Sequence, residues 1–171
     1  MHALIVGARG VGKSTLIRRV LQELGRPVFG FESKKETSLE DPVLGSPIYL
    51  YDAGAPHVQT AENLAGYCKN QRPTTDVRAF DRFAETFRRP VPEGHVVVLD
   101  ELGFLEAGSP AFCQAVLDLL DGDAPVIAAV KDKNVPFLNT VRAHPNCQCF
   151  FITESNRDEL VQPVLRLLRN S

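Results

Sequence analysis

Short unbroken apolar runs alternate along the chain with stretches in which apolar residues recur every three or four positions. Unbroken runs mark strands buried on both faces, and the longer period marks helices with one buried face. Their alternation predicts an α/β protein with a largely parallel sheet. Ala3-Leu4-Ile5-Val6 reads as the first strand. Leu16, Ile17, Val20, Leu21 and Leu24 then share one face of a helix that Gly25 ends. Residues 28–31 form the second strand.

The stretch 32–70 breaks this rhythm. Pro42, Gly45 and Pro47 punctuate a polar segment, after which Ile48-Tyr49-Leu50-Tyr51 reads as a strand. Pairing with its predecessor as a hairpin would place this insert, antiparallel, at the sheet edge. Order returns at Thr74-Thr75-Asp76, which can cap a helix turning Val77, Phe80, Phe83 and Phe87 inward. Val96-Val97-Val98-Leu99 is a buried strand. A helix with Phe112, Ala115, Val116, Leu119 and Leu120 on one stripe follows and stops near Gly122. Strands are expected at 126–130 and 150–152. Ser155-Asn156-Arg157-Asp158 has capping-box spacing ahead of a last helix carrying Leu160, Val161, Val164, Leu165 and Leu168. No repeat or linker interrupts residues 1–171, so one domain is expected.

Composition narrows the function classes. Of 171 residues, 44% are hydrophobic and 23% charged, with a formal charge of -2. That balance argues against a general nucleic-acid or membrane-surface binder, and no apolar run is long enough to span a bilayer. The first strand starts at about His2, which leaves no room for a cleavable leader and sets a cytoplasmic expectation. Cys68, Cys113, Cys147 and Cys149 lack CxxC spacing, and the four histidines are scattered. Buried reduced thiols are therefore expected rather than a metal centre or disulfides.

The loop Gly7-Ala8-Arg9-Gly10-Val11-Gly12-Lys13-Ser14, continuing to Thr15, matches the phosphate-loop (Walker A) pattern in full. Glycines let successive backbone N–H groups converge on one centre. The following helix adds its amides and positive dipole end there. Lys13 is placed for the β- and γ-phosphates, and the Ser14 hydroxyl for Mg²⁺. Arg9 reads first as a supplier of backbone and second as an arginine finger.

The apolar strand 96–99 ends in Asp100-Glu101, the form of a Walker B motif. Asp100 would hold Mg²⁺, and Glu101 would orient or activate a water in line with the γ-phosphate. Lys131-Asp132-Lys133-Asn134 has the wrong order for a guanine-reading loop and reads as a solvated charged turn. Asn156 and Arg157 stand either at a base or at a helix cap.

Four blocks occur in order: Gly7–Ser14; Phe29-Gly30-Phe31; Asp100-Glu101-Leu102-Gly103-Phe104-Leu105-Glu106 with Ser109-Pro110-x-Phe112; and Thr153-x-Ser155-Asn156-Arg157. Together they resemble the small cancer-related (thermophile-type) nucleoside-triphosphatases across nearly the whole chain. The resemblance implies a RecA-like three-layer α/β sandwich that hydrolyses ATP, GTP and other triphosphates slowly with Mg²⁺. It places Lys13 and Ser14 at phosphates and metal, Asp100 and Glu101 in the hydrolytic machinery, and Glu106 in support. This chain departs from the pattern where Phe104 replaces a lysine, where Lys34-Lys35-Glu36-Thr37 replaces an acidic–apolar–Arg run, and where Gly45-Ser46-Pro47-Ile48 replaces an Arg-bearing stretch. Lys34, Lys35 or Arg72 are the candidates to restore the missing charge.

The leading expectation is a Mg²⁺-dependent nucleoside triphosphatase with Lys13 and Glu101 catalytic. Two alternatives stand beside it. One is a small-molecule kinase, whose acceptor pocket residues 32–90 could build. The other is a nucleotide-dependent switch that binds a protein partner.

Overall fold

The computed structural model describes residues 1–70, 72–103 and 105–171. Among these, eight strands form one sheet: β1 His2–Gly7, β2 Val28–Lys35, β3 Ser46–Asp52, β4 Leu64–Lys69, β5 Arg72–Thr75, β6 Val96–Leu102, β7 Val126–Lys131 and β8 Cys147–Phe151. Their spatial order is β5-β4-β3-β2-β6-β7-β1-β8. The five strands from β2 to β8 in that order run parallel. The other three are added antiparallel at one edge. The expected antiparallel edge insert is therefore present, and it is two strands larger, by β4 and β5, than the apolar pattern revealed.

The helices are α1 Lys13–Leu24, α2 Arg78–Phe87, α3 Pro110–Asp121, α4 Pro136–Arg142 and α5 Val161–Arg169. Strand alternation sorts the core into two layers. In β1, Leu4 and Val6 face the layer holding Phe80, Phe83, Phe112 and Leu138, whereas Ala3 and Ile5 face Leu16, Val20, Val164 and Leu165. Helices thus cover both faces, giving the three-layer arrangement. The phenylalanines are core, with Phe31 5.3 Å from Phe83 and 5.7 Å from Phe112 between ring centroids.

Local details differ from the sequence-based expectations. Val77 is 37% exposed rather than turned inward, because α2 begins one residue later and Val77 is its N-cap. Thr74 and Thr75 pair with β4, and Asp76, just before the N-cap, accepts at Oδ1 from the Arg78 amide at 3.1 Å. Ser155 caps no helix: α5 starts at Val161, and residues 154–160 form turns held by Asn156. Asn156 Oδ1 accepts from the Thr153 amide at 2.8 Å, and its Nδ2 donates to the Phe151 carbonyl at 3.0 Å. The thiols are reduced, yet only Cys68 is buried; Cys113, Cys147 and Cys149 are partly covered. Among the described residues no helix is long and apolar enough to cross a membrane.

Candidate functional site

The carboxyl ends of β1, β6 and β7 meet at one edge of the sheet, where ligands of open parallel sheets bind. From β1 the chain enters the glycine loop, and packing explains two of its glycines. A Cβ on Gly7 would lie 2.8 Å from Ile152 Cγ2. Gly12 has φ +100°, and a Cβ there would lie 2.6 Å from Arg157 Cδ. α1 then starts at Lys13, with the Gly12 carbonyl accepting the first helical bond from Leu16 N at 2.9 Å. Its first-turn amides have no helical acceptor, so they are available to an anion.

Lys13 is only 4% exposed. Its Nζ donates to the Gly7 carbonyl at 2.9 Å and the Ala8 carbonyl at 2.7 Å, and pairs with Glu101 Oε2 at 3.0 Å. A buried ammonium needs such partners to be tolerated. Ser14 Oγ donates to Asp100 Oδ1 at 2.9 Å. Burial pushes the Asp100 carboxyl up to about 6, while the Ser14 hydrogen bond opposes the rise.

The pairing of β6 with β7 slips between Asp100 and Leu102, so Glu101 is the extra residue of a bulge. The Asp100–Glu101 peptide is cis. A bulge re-aims a side chain, and Glu101 reaches both Lys13 and Lys131, with Oε1 3.2 Å from Lys131 Nζ. Glu106 comes back toward the same strand end. It is 3% exposed, and its Oε1 accepts from the Gly103 amide at 3.0 Å. Burial pushes its carboxyl up to about 7, and Oε2 has no hydrogen-bond partner among the described residues.

Ser14 and Asp100 offer two hard oxygen donors side by side, which suits a divalent cation such as Mg²⁺. A cation there would offset the burial that holds Asp100 high. The described residues contain no cluster of three or more His, Cys, Asp or Glu fit for a metal. The remaining coordination positions would fall to phosphate oxygens and water, the usual manner of Mg²⁺ with nucleotides.

A cleft of about 460 Å³ opens beside the loop, bounded by Gly7, Ala8, Arg9, Ser14 and Glu101. Another wall comes from β2 and the antiparallel edge: Ser33 and Lys35 of β2, Ile48 of β3, Cys68 of β4 and Pro73 of β5. Lys131, Asp132 and Lys133 close it. Among the cations expected to restore charge, Lys35 lines the cleft. Lys34 turns to Glu36 at 3.3 Å, and Arg72 is exposed on the edge strand. Phe104 lies outside the described residues.

The structure brings Lys13 and Ser14 of the loop against Glu101 and Asp100, with Gly7, Ala8 and Arg9 lining the same cleft. Thr15 is exposed on the first turn of α1. One residue departs from its sequence-based expectation. Lys131 belongs to no solvated turn: it is half-buried and ion-paired to Glu101. Its position in register with Gly7 was the missed signal, because a charge ending a parallel strand lands at the binding edge. Of the two places expected for Arg157, a base or a helix cap, it takes no helix cap, and its side chain lies against Gly12 of the loop.

A family model described as NTPase matches residues 2–165, which takes in the loop, the Asp100–Glu106 block and Arg157. The chain belongs to this NTPase family. Among its relatives is nucleoside-triphosphatase THEP1 of Thermotoga maritima, 27% identical over 99% of this chain and 96% of the relative. The cancer-related nucleoside-triphosphatase homolog of Mus musculus is also 27% identical, over 99% of this chain and 97% of that one. The crystal structure of THEP1 from Aquifex aeolicus superposes with a TM-score of 0.70 at 23% identity, covering 98% and 99% of the two chains. That structural likeness speaks for the fold of this NTPase. The expected family and its α/β architecture are thereby shown.

Proposed function

We propose that this NTPase hydrolyses the γ-phosphoanhydride of nucleoside triphosphates, ATP and GTP among them, to diphosphate and phosphate with Mg²⁺ bound. The observation that carries this reading is the convergence of four groups: Ser14 Oγ 2.9 Å from Asp100 Oδ1, and Lys13 Nζ 3.0 Å from Glu101 Oε2. The loop amides and Lys13 would hold the β- and γ-phosphates. Ser14 and Asp100 would hold Mg²⁺, which supplies charge neutralisation along the polyphosphate. Glu101, set forward by its bulge, would orient the attacking water and accept its proton.

Binding here and chemistry there are separate tasks in phosphoryl transfer, where positioning and electrostatics do nearly all the work. Lys13 serves the first and Glu101 the second. The test is phosphate release from a panel of ribo- and deoxyribonucleoside triphosphates, with and without Mg²⁺. Release that depends on Mg²⁺ and vanishes in Lys13→Ala supports the reading; release unaffected by either refutes it.

A second reading draws on the cleft. Its wall of Ser33, Lys35, Ile48, Cys68 and Pro73 offers more room than an attacking water needs. An acceptor hydroxyl there could take the γ-phosphoryl group in place of water. Label from [γ-³²P]ATP recovered in a small organic product, rather than in inorganic phosphate, would favour this transfer.

A further inference from the structure

Lys13 Nζ has three donors and, in this structure, three acceptors: the Gly7 carbonyl, the Ala8 carbonyl and Glu101. A lysine that grips a polyphosphate has to turn some of those donors to phosphate oxygens. Glu101 is the acceptor most readily released, since the two carbonyls belong to the loop itself. Once released, the carboxylate would stand among acidic neighbours. Asp100 precedes it, Glu32 pairs in register with Asp100 across the sheet, and Glu106 is buried nearby. The incoming phosphates add further negative charge. Something must hold Glu101 forward against that field.

The cation placed to do so is on another strand. Lys131 ends β7, its backbone paired with Gly7 of β1, and its Nζ lies 3.2 Å from Glu101 Oε1. Its stem lies over Gly103, where an added Cβ would meet Cδ at 3.2 Å and Nζ at 3.3 Å. This anchor rests on β6 and β7 rather than on the phosphate loop, so drawing Lys13 toward a ligand leaves it in place. Lys131 and Glu101 line the same cleft beside the glycine loop.

We propose that Lys131 is a positioning residue for hydrolysis, holding the Glu101 carboxylate toward the attacking water when Lys13 turns to the phosphates. This rests on the reading that Glu101 serves the chemical step. It predicts a role in kcat rather than in binding. The two lysines on either side of Glu101 thus divide their work: one follows the nucleotide, the other stays with the carboxylate.

The test is a mutant cycle on the full chain, with ATP affinity by calorimetry and single-turnover hydrolysis of [γ-³²P]ATP under saturating enzyme. Lys131→Met is expected to slow hydrolysis by roughly 10²-fold, the scale of a lost acid–base positioning group, with ATP affinity within about twofold of wild type. Lys131→Arg, which keeps the charge, should recover most of the rate. In a Glu101→Gln background the same Lys131→Met change should cost less than about threefold, because a residue acting through another adds little once that other is gone. Thermal unfolding of each variant separates a folding defect from a positioning one; should Lys131→Met not fold, Lys131→Gln enters the cycle in its place. Full additivity of the two changes, a loss of ATP affinity equal to the loss of rate, or an unchanged rate would overturn the assignment. Wild-type hydrolysis by Glu101→Gln alone would instead overturn the reading of Glu101, and the inference with it.

Discussion

The Lys13 ammonium and the Glu101 carboxylate stand 3.0 Å apart, joining the strand-to-helix loop of β1 to the bulge at the end of β6. One ion pair thus links the group suited to phosphate with the group suited to water. Because Lys13 is 4% exposed, its charge is tolerated only through these contacts.

Lys13→Ala is therefore expected to abolish nucleotide binding while changing stability modestly. It removes the proposed phosphate ligand, and it also leaves Glu101 with Lys131 as its remaining ion-pair partner among the described contacts. At ~1 mM ATP, where even a weak site fills, wild type should show a clear rise in unfolding temperature and the variant none. An equal rise in both would remove Lys13 from the site.

The tight seat of Gly12 makes a second prediction. At φ +100° an alanine costs about 1–2 kcal/mol in backbone strain alone. Its Cβ would also push aside Arg157. Gly12→Ala should lower the unfolding temperature by several degrees, roughly 2–4 °C per kcal/mol for a chain of this size, and weaken ATP binding about tenfold or more. Arg157→Ala tests the neighbour separately. It should leave the fold intact and, by uncovering Gly12 in the loop, weaken ATP binding less than Gly12→Ala does.

Glu106 gives a pH prediction. Burial pushes its carboxyl up to about 7, against 4.5 ordinarily. Between those values the folded chain keeps a proton that the unfolded chain has released. Raising the pH through that window therefore favours unfolding, and the cost is complete above about 7. Its ceiling is on the order of 3 kcal/mol. Glu106→Gln retains an oxygen to accept from the Gly103 amide and carries no charge. It should match wild type in thermal unfolding at about pH 4, below the ordinary value, and exceed it by several degrees at pH 8. A variant less stable than wild type at pH 8 would contradict this.

Much of this site was legible because its chemistry is local in sequence. The glycine loop is contiguous, and Asp100-Glu101 ends a run of four apolar residues, so both could be placed at one sheet edge before any coordinates. The parallel core was equally plain, since Ile5, Val97 and Ala128 lie in unbroken apolar runs. What failed depends on tertiary partners. β4 and β5 mix Gly66, Cys68, Lys69, Arg72 and Pro73, and take their strand form from antiparallel pairing at the edge. α4, with only Leu138 and Val141 buried, is too short for a helical period to declare itself. Lys131 and Arg157 meet Glu101 and Gly12 across long stretches of chain; the strand end at Lys131 points to the binding edge, but nothing in the sequence names either partner.

Glu101 is proposed to act on the attacking water and to leave the grip on the nucleotide to Lys13 and the glycine loop. The direct measurement is ATP affinity and single-turnover hydrolysis in Glu101→Gln beside wild type. ATP should bind within a few-fold of wild-type affinity, while hydrolysis falls by 10²-fold or more, on the order expected for a general base. Unchanged hydrolysis in the variant, with binding intact, would contradict it.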